Sequence, residues 1–163
     1  MMDILFDRDE YRFSYRVAGL LIRGEQVLLQ RVPGDDGYAA PGGHVAFMET
    51  HEQTLKREFL EELHAPIEVQ NLAAVGEIFL PWAGQKCHQI CPYYVVRLTD
   101  ETAIPLEGVF HGWDDLGGER IDLDFCWVPF EELKSGALVY PPEIVPVILG
   151  ETKDVLHFVY SEF

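Results

Sequence analysis

Basic residues are scarce in this sequence, which has 12 Lys and Arg against 28 Asp and Glu in 163 residues, for a formal net charge of −16 at pH 7. A protein that binds a nucleic-acid polymer uses basic side chains to displace the counterions of the phosphate backbone. The charge balance therefore argues against a nucleic-acid polymer as partner. A small phosphate-bearing ligand would have to meet, or arrive with, a bound metal ion.

Cysteine is also rare, and the number of cysteines is odd. Cys87 and Cys91 lie in a strand-like run without a second pair of ligands, and Cys126 stands alone. Neither a disulfide framework nor a zinc site is supported by this arrangement. We expect reduced, partly buried thiols.

Long apolar runs are missing as well. No segment approaches the roughly 18 apolar residues of a membrane span, and the first residues, MMDILFDRDE, lack the basic and apolar regions of a signal peptide. We expect a cytoplasmic protein without a membrane partner. With 48% apolar residues, 12% aromatic residues and no internal repeat, residues 1–163 are expected to form a single globular domain.

Apolar runs alternate with turn residues along most of the chain. Strands are predicted at residues 13–22, 26–31, 38–40, 44–46, 67–71, 73–80, 88–98, 121–128 and 156–160. Short helices are predicted at residues 130–134 and 141–149, each opened by proline, and residues 99–119 are predicted to be one long irregular segment. Together with one long helix, this order fits an α/β/α sandwich with a mixed β-sheet.

The long helix is predicted at residues 50–63, where the sequence contains both a start and a stop signal. Thr50 can cap the N-terminus, and Gln53 three residues later completes a capping box. Pro66 ends the helix because it disfavours helical geometry at Ala65.

Three carboxylates crowd one face of this helix, because Glu58, Glu61 and Glu62 stand at positions i, i+3 and i+4. Like charges at this spacing repel by roughly a few tenths of a kcal/mol per exposed pair, a cost that a divalent cation would remove. Oxygen ligands suit Mg²⁺ first and Mn²⁺ second. Taken alone, the three residues are also compatible with an acidic face that simply meets solvent.

The surrounding pattern is more specific than the acidic face. It consists of Gly43, five residues, Glu49, seven residues, Arg57-Glu58, the apolar Phe59, one residue and Glu61-Glu62. This pattern resembles the Nudix box, G-x5-E-x7-R-E-U-x-E-E-x-G-U, where U is a bulky apolar residue. His64 stands in place of the last glycine and Ala65 in place of the last apolar residue. Histidine adopts the left-handed conformation more often than most residues. The departure is expected to affect local stability more than chemistry, because no carboxylate is lost.

The resemblance implies a Nudix-type α/β/α sandwich with a mixed β-sheet, in which the box forms a loop-helix-loop catalytic motif. It also implies Mg²⁺-dependent hydrolysis of a nucleoside diphosphate linked to another moiety, with water attacking one phosphorus of the pyrophosphate. By position in the box, the metal ligands would be Glu58, Glu61, Glu62 and the backbone carbonyl of Gly43. Either Glu58 or Glu61 would take the proton from the attacking water, and the sequence leaves this choice open.

Residues near these ligands are assigned supporting roles. Arg57 is predicted to be one of the catalytic residues. It is expected to hold Glu49 in a salt bridge through its planar guanidinium. A carboxylate from the segment 99–119 is expected to complete the metal site, and Glu119 is preferred because it precedes the strand that leads to Trp127. The other candidates are Asp114, Asp115, Asp122 and Glu77.

Recognition of a nucleotide would need aromatic or polar side chains near the loops and strand ends. The candidates for substrate binding are Phe79, Trp82, Trp113 and His44, the last because it follows the glycines of the box. Each of these side chains, taken singly, could instead be part of the core.

Other functions fit parts of the same pattern. A Nudix-like domain that binds or senses a nucleotide without hydrolysing it is the main alternative, although such a domain would be expected to have lost carboxylates that are all present here. An isomerase and an mRNA-decapping type of hydrolase are further alternatives, and the second would need a basic surface. The substrate stays open among a nucleoside triphosphate, an oxidised nucleotide, ADP-ribose and a nucleotide sugar. A homodimer is expected by analogy.

Overall fold

The computed structural model describes residues 1–116 and 118–163, and over these residues nine strands join in one β-sheet. The strands are β1 (Leu5–Arg8), β2 (Tyr11–Arg23), β3 (Gln26–Arg31), β4 (Gly42–His44), β5 (Ile67–Trp82), β6 (Gln85–Leu98), β7 (Val109–Leu116), β8 (Glu119–Pro129) and β9 (Leu156–Ser161). The helices are α1 (His51–Leu63), α2 (Phe130–Lys134) and α3 (Val145–Ile148), and a 3-10 turn at Pro142–Ile144 precedes α3.

The sheet is mixed, with the strand order β7-β8-β3-β2-β6-β5-β9. The strand pairs β2–β6 and β5–β9 are parallel, whereas the other neighbours are antiparallel. The long strand β2 also pairs with β1 and β4, so it borders four strands in all. This topology confirms the predicted fold class.

Strand β2 shows how the sheet separates two cores. Val17 and Leu21 are buried on the face that α1 covers, whereas Ala18 and Leu20 are buried on the face that α3 covers. Successive side chains of a strand point to opposite faces, so this alternation follows from the local geometry of β2. Helices therefore cover both faces of the sheet, as the sandwich prediction requires.

Helix α1 has the predicted boundaries. The side chain of Thr50 accepts a hydrogen bond from the Gln53 N–H at 3.2 Å, and the side chain of Gln53 accepts one from the Thr50 N–H at 2.9 Å. At the other end His64 has φ 52°, in the left-handed region, and its N–H donates to the carbonyl of Leu60 at 3.1 Å. Histidine therefore occupies the left-handed position that glycine fills in the motif.

The structure differs most from the sequence prediction at residues 99–119, which are predicted to be one irregular segment but contain a strand. Residues 109–116 form β7, which pairs with β8 in an antiparallel hairpin, and Gly117 lies outside the described residues. Glycine and adjacent aspartates give β7 a weak strand signal, so its conformation depends on the partner strand rather than on local propensity.

Smaller corrections apply to other strands. Residues 38–40 form isolated bridges rather than a strand. The strand predicted at residues 44–46 begins earlier, at Gly42, where the chain pairs with β2. The two strands predicted at residues 67–71 and 73–80 are one strand, β5, whose pairing with β6 is locally irregular between them. Strand β1 was not predicted.

Two expectations about composition can be compared with the structure. All three cysteines are buried free thiols, as expected. Within the part of the chain that the structure describes, no helix is both long enough and apolar enough to cross a membrane.

Replacing His64 with glycine should stabilise the protein. A non-glycine residue in the left-handed region costs roughly 1–2 kcal/mol, so we expect His64→Gly to raise the free energy of unfolding by about 1 kcal/mol in urea denaturation. His64→Ala is the matched control, since it removes the imidazole but keeps the Cβ, and it should not stabilise. A glycine variant no more stable than the wild type would show that the imidazole offsets the backbone strain.

Candidate active site

Three carboxylates from two elements meet at one end of α1. Glu58 and Glu62 stand one helical turn apart, Asp114 comes from β7, and their oxygen atoms lie within 4.8 Å of one another. Glu58 and Glu62 are only 9% and 8% exposed. Such burial separates these carboxylates from an ordinary acidic surface.

Burial of like charges raises the pKa of each member of this cluster. Burial, followed by the charges of Asp114 and Glu58, raises the pKa of Glu62 to about 9. Burial also raises the pKa of Glu58, although the neighbouring Arg57 opposes the shift, and burial is the main cause that raises the pKa of Asp114. The cluster therefore carries its full negative charge at neutral pH only if a cation compensates it.

The chemistry of the donors and their packing fit a hard divalent cation. Oxygen ligands are those that Mg²⁺ prefers, and Oε1 of Glu62 is buried without a hydrogen-bond partner in the described structure. A Cβ added to Gly43 would lie 2.2 Å from the carboxylate carbon of Glu58, so only glycine allows the backbone of β4 to approach this carboxylate so closely.

Arg57 connects α1 to the turn at Pro41-Gly42-Gly43, which we call the glycine bend. Its Nε donates to Oε1 of Glu49 at 3.0 Å, and its Nη1 donates to Oε1 of Glu58 at 2.6 Å. Its Nη2 donates to the backbone carbonyl of His44 at 3.2 Å. The expected Arg57–Glu49 ion pair is thus present, and the same guanidinium fixes both a cluster carboxylate and the residue after Gly43.

Two predicted metal ligands lie outside the carboxylate cluster. The side chain of Glu61 is 58% exposed, and its Oε2 accepts a weak contact from Arg57 at 3.4 Å. At 100° per residue Glu62 lies close to Glu58 on the inward side of α1, while Glu61 lies on the outward side. Glu119 is exposed at the first position of β8.

Asp114, rather than the predicted Glu119, is the third carboxylate of the cluster. Asp114 was among the alternatives, but the predicted irregular segment gave no means of ranking it. In β7 it alternates with its two neighbours, Trp113 and Asp115, so a single one of these side chains faces α1. A sequence signal for the β7–β8 hairpin would have been needed to choose Asp114 among the candidates.

A cavity of about 470 Å³ opens beside the carboxylates. Its walls come from β2, β3, β4, β5, β6, β7, β9 and the residues before α3, and they include Asp114, Gly43, His44, Arg16, Gln30, Gln89, Trp82, Tyr93, Tyr140 and Tyr160. Of the residues predicted to bind substrate, His44 and Trp82 line this cavity. Phe79 alternates with cavity residues along β5, and Trp113 lines a separate groove beside Arg120.

The ring of Trp82 already has partners within the protein. It lies nearly parallel to the imidazole of His44, with 5.8 Å between ring centroids, and the guanidinium of Arg12 lies 4.7 Å from its centroid. His44 is itself held by a hydrogen bond between Nε2 and Oγ of Ser14 at 3.1 Å, and burial lowers its pKa. Tyr140, with 48% exposure, offers a more accessible aromatic ring on the cavity wall.

The chain matches the family model described as the NUDIX domain over residues 13–146. That range contains β2, the glycine bend, α1 and the β7–β8 hairpin, which together build the carboxylate site. The protein therefore belongs to the Nudix family.

A named relative and two solved structures show how this chain relates to other family members. A protein of Mycobacterium tuberculosis (strain CDC 1551 / Oshkosh), named "Putative mutator protein MutT4", is 33% identical over 113 residues, which are 65% of this chain and 38% of that protein. The chain thus spans well under half the length of this relative.

The fold similarity extends over most of the chain. A NUDIX hydrolase from Nitrosomonas europaea matches with a TM-score of 0.57 at 18% identity, covering 90% of this chain and 78% of that one. An ADP-ribose pyrophosphatase from Streptococcus suis 89-1591 matches with a TM-score of 0.54 at 14% identity, covering 89% and 98% of the two chains. At such low identities the two structures support the fold alone.

Without divalent cations, the buried carboxylates should make stability depend on pH. Because the folded-state pKa of Glu62 is raised to about 9 from 4.5, the folded protein holds a proton that the unfolded chain releases. The free energy of unfolding should therefore fall as the pH rises through this interval. Glu62→Gln, which stays neutral, should weaken this dependence, whereas Glu61→Gln should retain it. Thermal unfolding in EDTA at several pH values measures the difference, and superimposable profiles for wild type and Glu62→Gln would contradict it.

Proposed function

We propose that this protein is a Mg²⁺-dependent pyrophosphohydrolase that acts on a nucleoside diphosphate derivative. The observation that carries this proposal is the cluster of Glu58, Glu62 and Asp114, of which Asp114 lines a cavity large enough for a nucleotide. Membership of the Nudix family supports the same reaction class.

In the proposed site, Glu58, Glu62 and Asp114 hold the cation with the carbonyl of Gly43. When bound, Mg²⁺ (or Mn²⁺) neutralises charge on the pyrophosphate and lowers the pKa of a coordinated water. Glu61 stands outside these ligands and supports Arg57, whose ion pairs with Glu49 and Glu58 hold α1 against the glycine bend.

Among the two candidates for the proton acceptor, the geometry favours Glu58. A water molecule attacks one phosphorus, a new P–O bond forms, the bridging P–O bond breaks, and the proton of the water passes to a carboxylate. Glu58 is buried beside the cluster, and Arg57 holds its Oε1 at 2.6 Å, so this acceptor oxygen has a fixed position. The exposed Glu61 lacks this fixed position.

The substrate class proposed is a nucleoside triphosphate, an oxidised nucleotide, ADP-ribose or a nucleotide sugar. The matched proteins have different names, since one is named a putative mutator protein and another an ADP-ribose pyrophosphatase. Aromatic side chains on the cavity wall suit a nucleobase in all four cases. His44 and Trp82 shape this wall by stacking on each other, and Tyr140 is the ring proposed to contact the base.

A nucleotide-binding or sensor domain without hydrolytic activity is the second candidate. Tight binding of ADP-ribose that leaves the ligand unchanged would favour it. The cluster of three carboxylates supports hydrolysis instead. A domain that only binds a nucleotide would not need to keep carboxylates that repel one another.

Glu62→Gln should lower kcat by at least about a hundredfold, because it removes a charge from the cation site while preserving side-chain shape. Release of phosphate or nucleoside monophosphate would be measured with Mg²⁺ across a panel of nucleoside diphosphate derivatives. Glu61→Gln is the matched neighbour, and its loss should be at most about tenfold. Equal losses in both variants would return Glu61 to the site, and a wild type that binds Mg²⁺ but hydrolyses nothing would refute the proposed function.

Tyr140→Leu should raise KM about tenfold for nucleotide substrates while kcat changes little, because stacking on a base contributes roughly 1–3 kcal/mol. Tyr140→Phe keeps the ring and should restore most of the affinity. Trp113→Leu, an equally exposed aromatic outside this cavity, is the control. A KM unchanged in Tyr140→Leu would place the base elsewhere.

A further inference from the structure

Arg16 is a half-buried cation that lines the cavity together with Asp114 and the aromatic side chains. It lies on β2 opposite His44 in the β2–β4 pair, and both residues line the cavity. Asp114 of the carboxylate cluster lines the same cavity, so the guanidinium and this carboxylate border one space.

Arg16 has no anionic partner in the part of the chain that the structure describes, although acidic residues greatly outnumber basic ones in this protein. Its Nη2 donates to the backbone carbonyl of Ala40 at 2.9 Å, and the guanidinium also contacts the buried thiol of Cys91. These two contacts orient the guanidinium, which has more N–H donors than they use. Arg12, four residues earlier on the same strand, instead forms a paired contact with Asp7 at 2.7 and 2.9 Å. A half-buried arginine without a carboxylate is costly unless an anion binds to it.

No other Lys or Arg is among the described residues that line the cavity. A pyrophosphate brings several negative charges into a site already bordered by Asp114, and a cation at the carboxylates compensates part of them. The charge of the phosphoryl group further from the carboxylates needs a second positive partner. The planar guanidinium of arginine binds two phosphoryl oxygens at once.

We propose that Arg16 is a positioning residue that binds the phosphoryl group next to the one attacked by water. This inference rests on the proposed function, because it assumes that the substrate lies in this cavity with its pyrophosphate at the carboxylates. It deepens that function by specifying two adjacent phosphoryl subsites, one at the carboxylate cluster and one at Arg16. Phosphate monoesters, which fill a single subsite, should be poor ligands.

The test measures binding of methylenediphosphonate, a pyrophosphate analogue that cannot be hydrolysed and has no base, by titration calorimetry in Mg²⁺. We expect Arg16→Met to bind it at least tenfold more weakly than wild type, and Arg16→Lys to lie between the two, since lysine keeps the charge without the fork. Arg23→Met is the matched control, because Arg23 lies on the same strand and pairs with the exposed Glu101 at 3.5 Å. It removes the same charge and should bind within about twofold of wild type.

Kinetics and stability separate a binding role from a structural one. With hydrolysed substrates, Arg16→Met should raise KM by at least tenfold more than Arg23→Met does, and its melting temperature should not fall, because it removes an unpaired half-buried charge. Unchanged analogue binding in Arg16→Met, a wild type that does not bind the analogue, or a binding loss matched by a lower melting temperature in both Arg16 variants would overturn the inference. A wild type that binds the analogue through Arg16 but hydrolyses no substrate would refute the proposed function and leave this phosphoryl subsite in place.

Discussion

The close approach of three carboxylates, two of them buried and the third half-buried, is the constraint on which the rest of this structure depends. Glu58, Glu62 and Asp114 repel one another where water can screen them little, so the fold must hold them together against a tendency to protonate or separate. The face of the sheet that α1 covers supplies that restraint. Helix α1 is fixed by its apolar side against β2, and Asp114 is fixed by the pairing of β7 with β8.

Arg57 and Gly43 adapt the glycine bend to this cluster. The guanidinium connects Glu49, Glu58 and the carbonyl after Gly43, so a displacement of the helix would break several charge-assisted hydrogen bonds together. The missing side chain at Gly43 then lets the backbone lie against the Glu58 carboxylate. Charge and close packing thus act on the same few atoms.

The parts of the molecule that would select a substrate lie far from the box in sequence. Tyr140 and Tyr160 reach the cavity from the C-terminal third of the chain, and Arg16 reaches it from β2. From the sequence, Trp82 is a candidate to stack on a nucleobase, yet His44 and Arg12 already contact its ring. In the proposed function, the reaction and the choice of substrate would therefore depend on different elements, which is consistent with one fold serving family members of different names.

Local interactions allowed α1 to be predicted from sequence, including the Thr50 cap and the left-handed His64, since each depends on residues within about one helical turn. Of the three glutamates predicted on one face, Glu58 and Glu62 join the cluster, whereas Glu61 is exposed. The mixed sandwich followed from the order of elements. Tertiary structure decided which carboxylate joins the helix: Asp114 faces the cluster because pairing with β8 sets the side to which each β7 side chain points. It likewise brought Arg16 and Tyr140 to one cavity, because strand pairing over long sequence separations leaves no periodic signal in the chain.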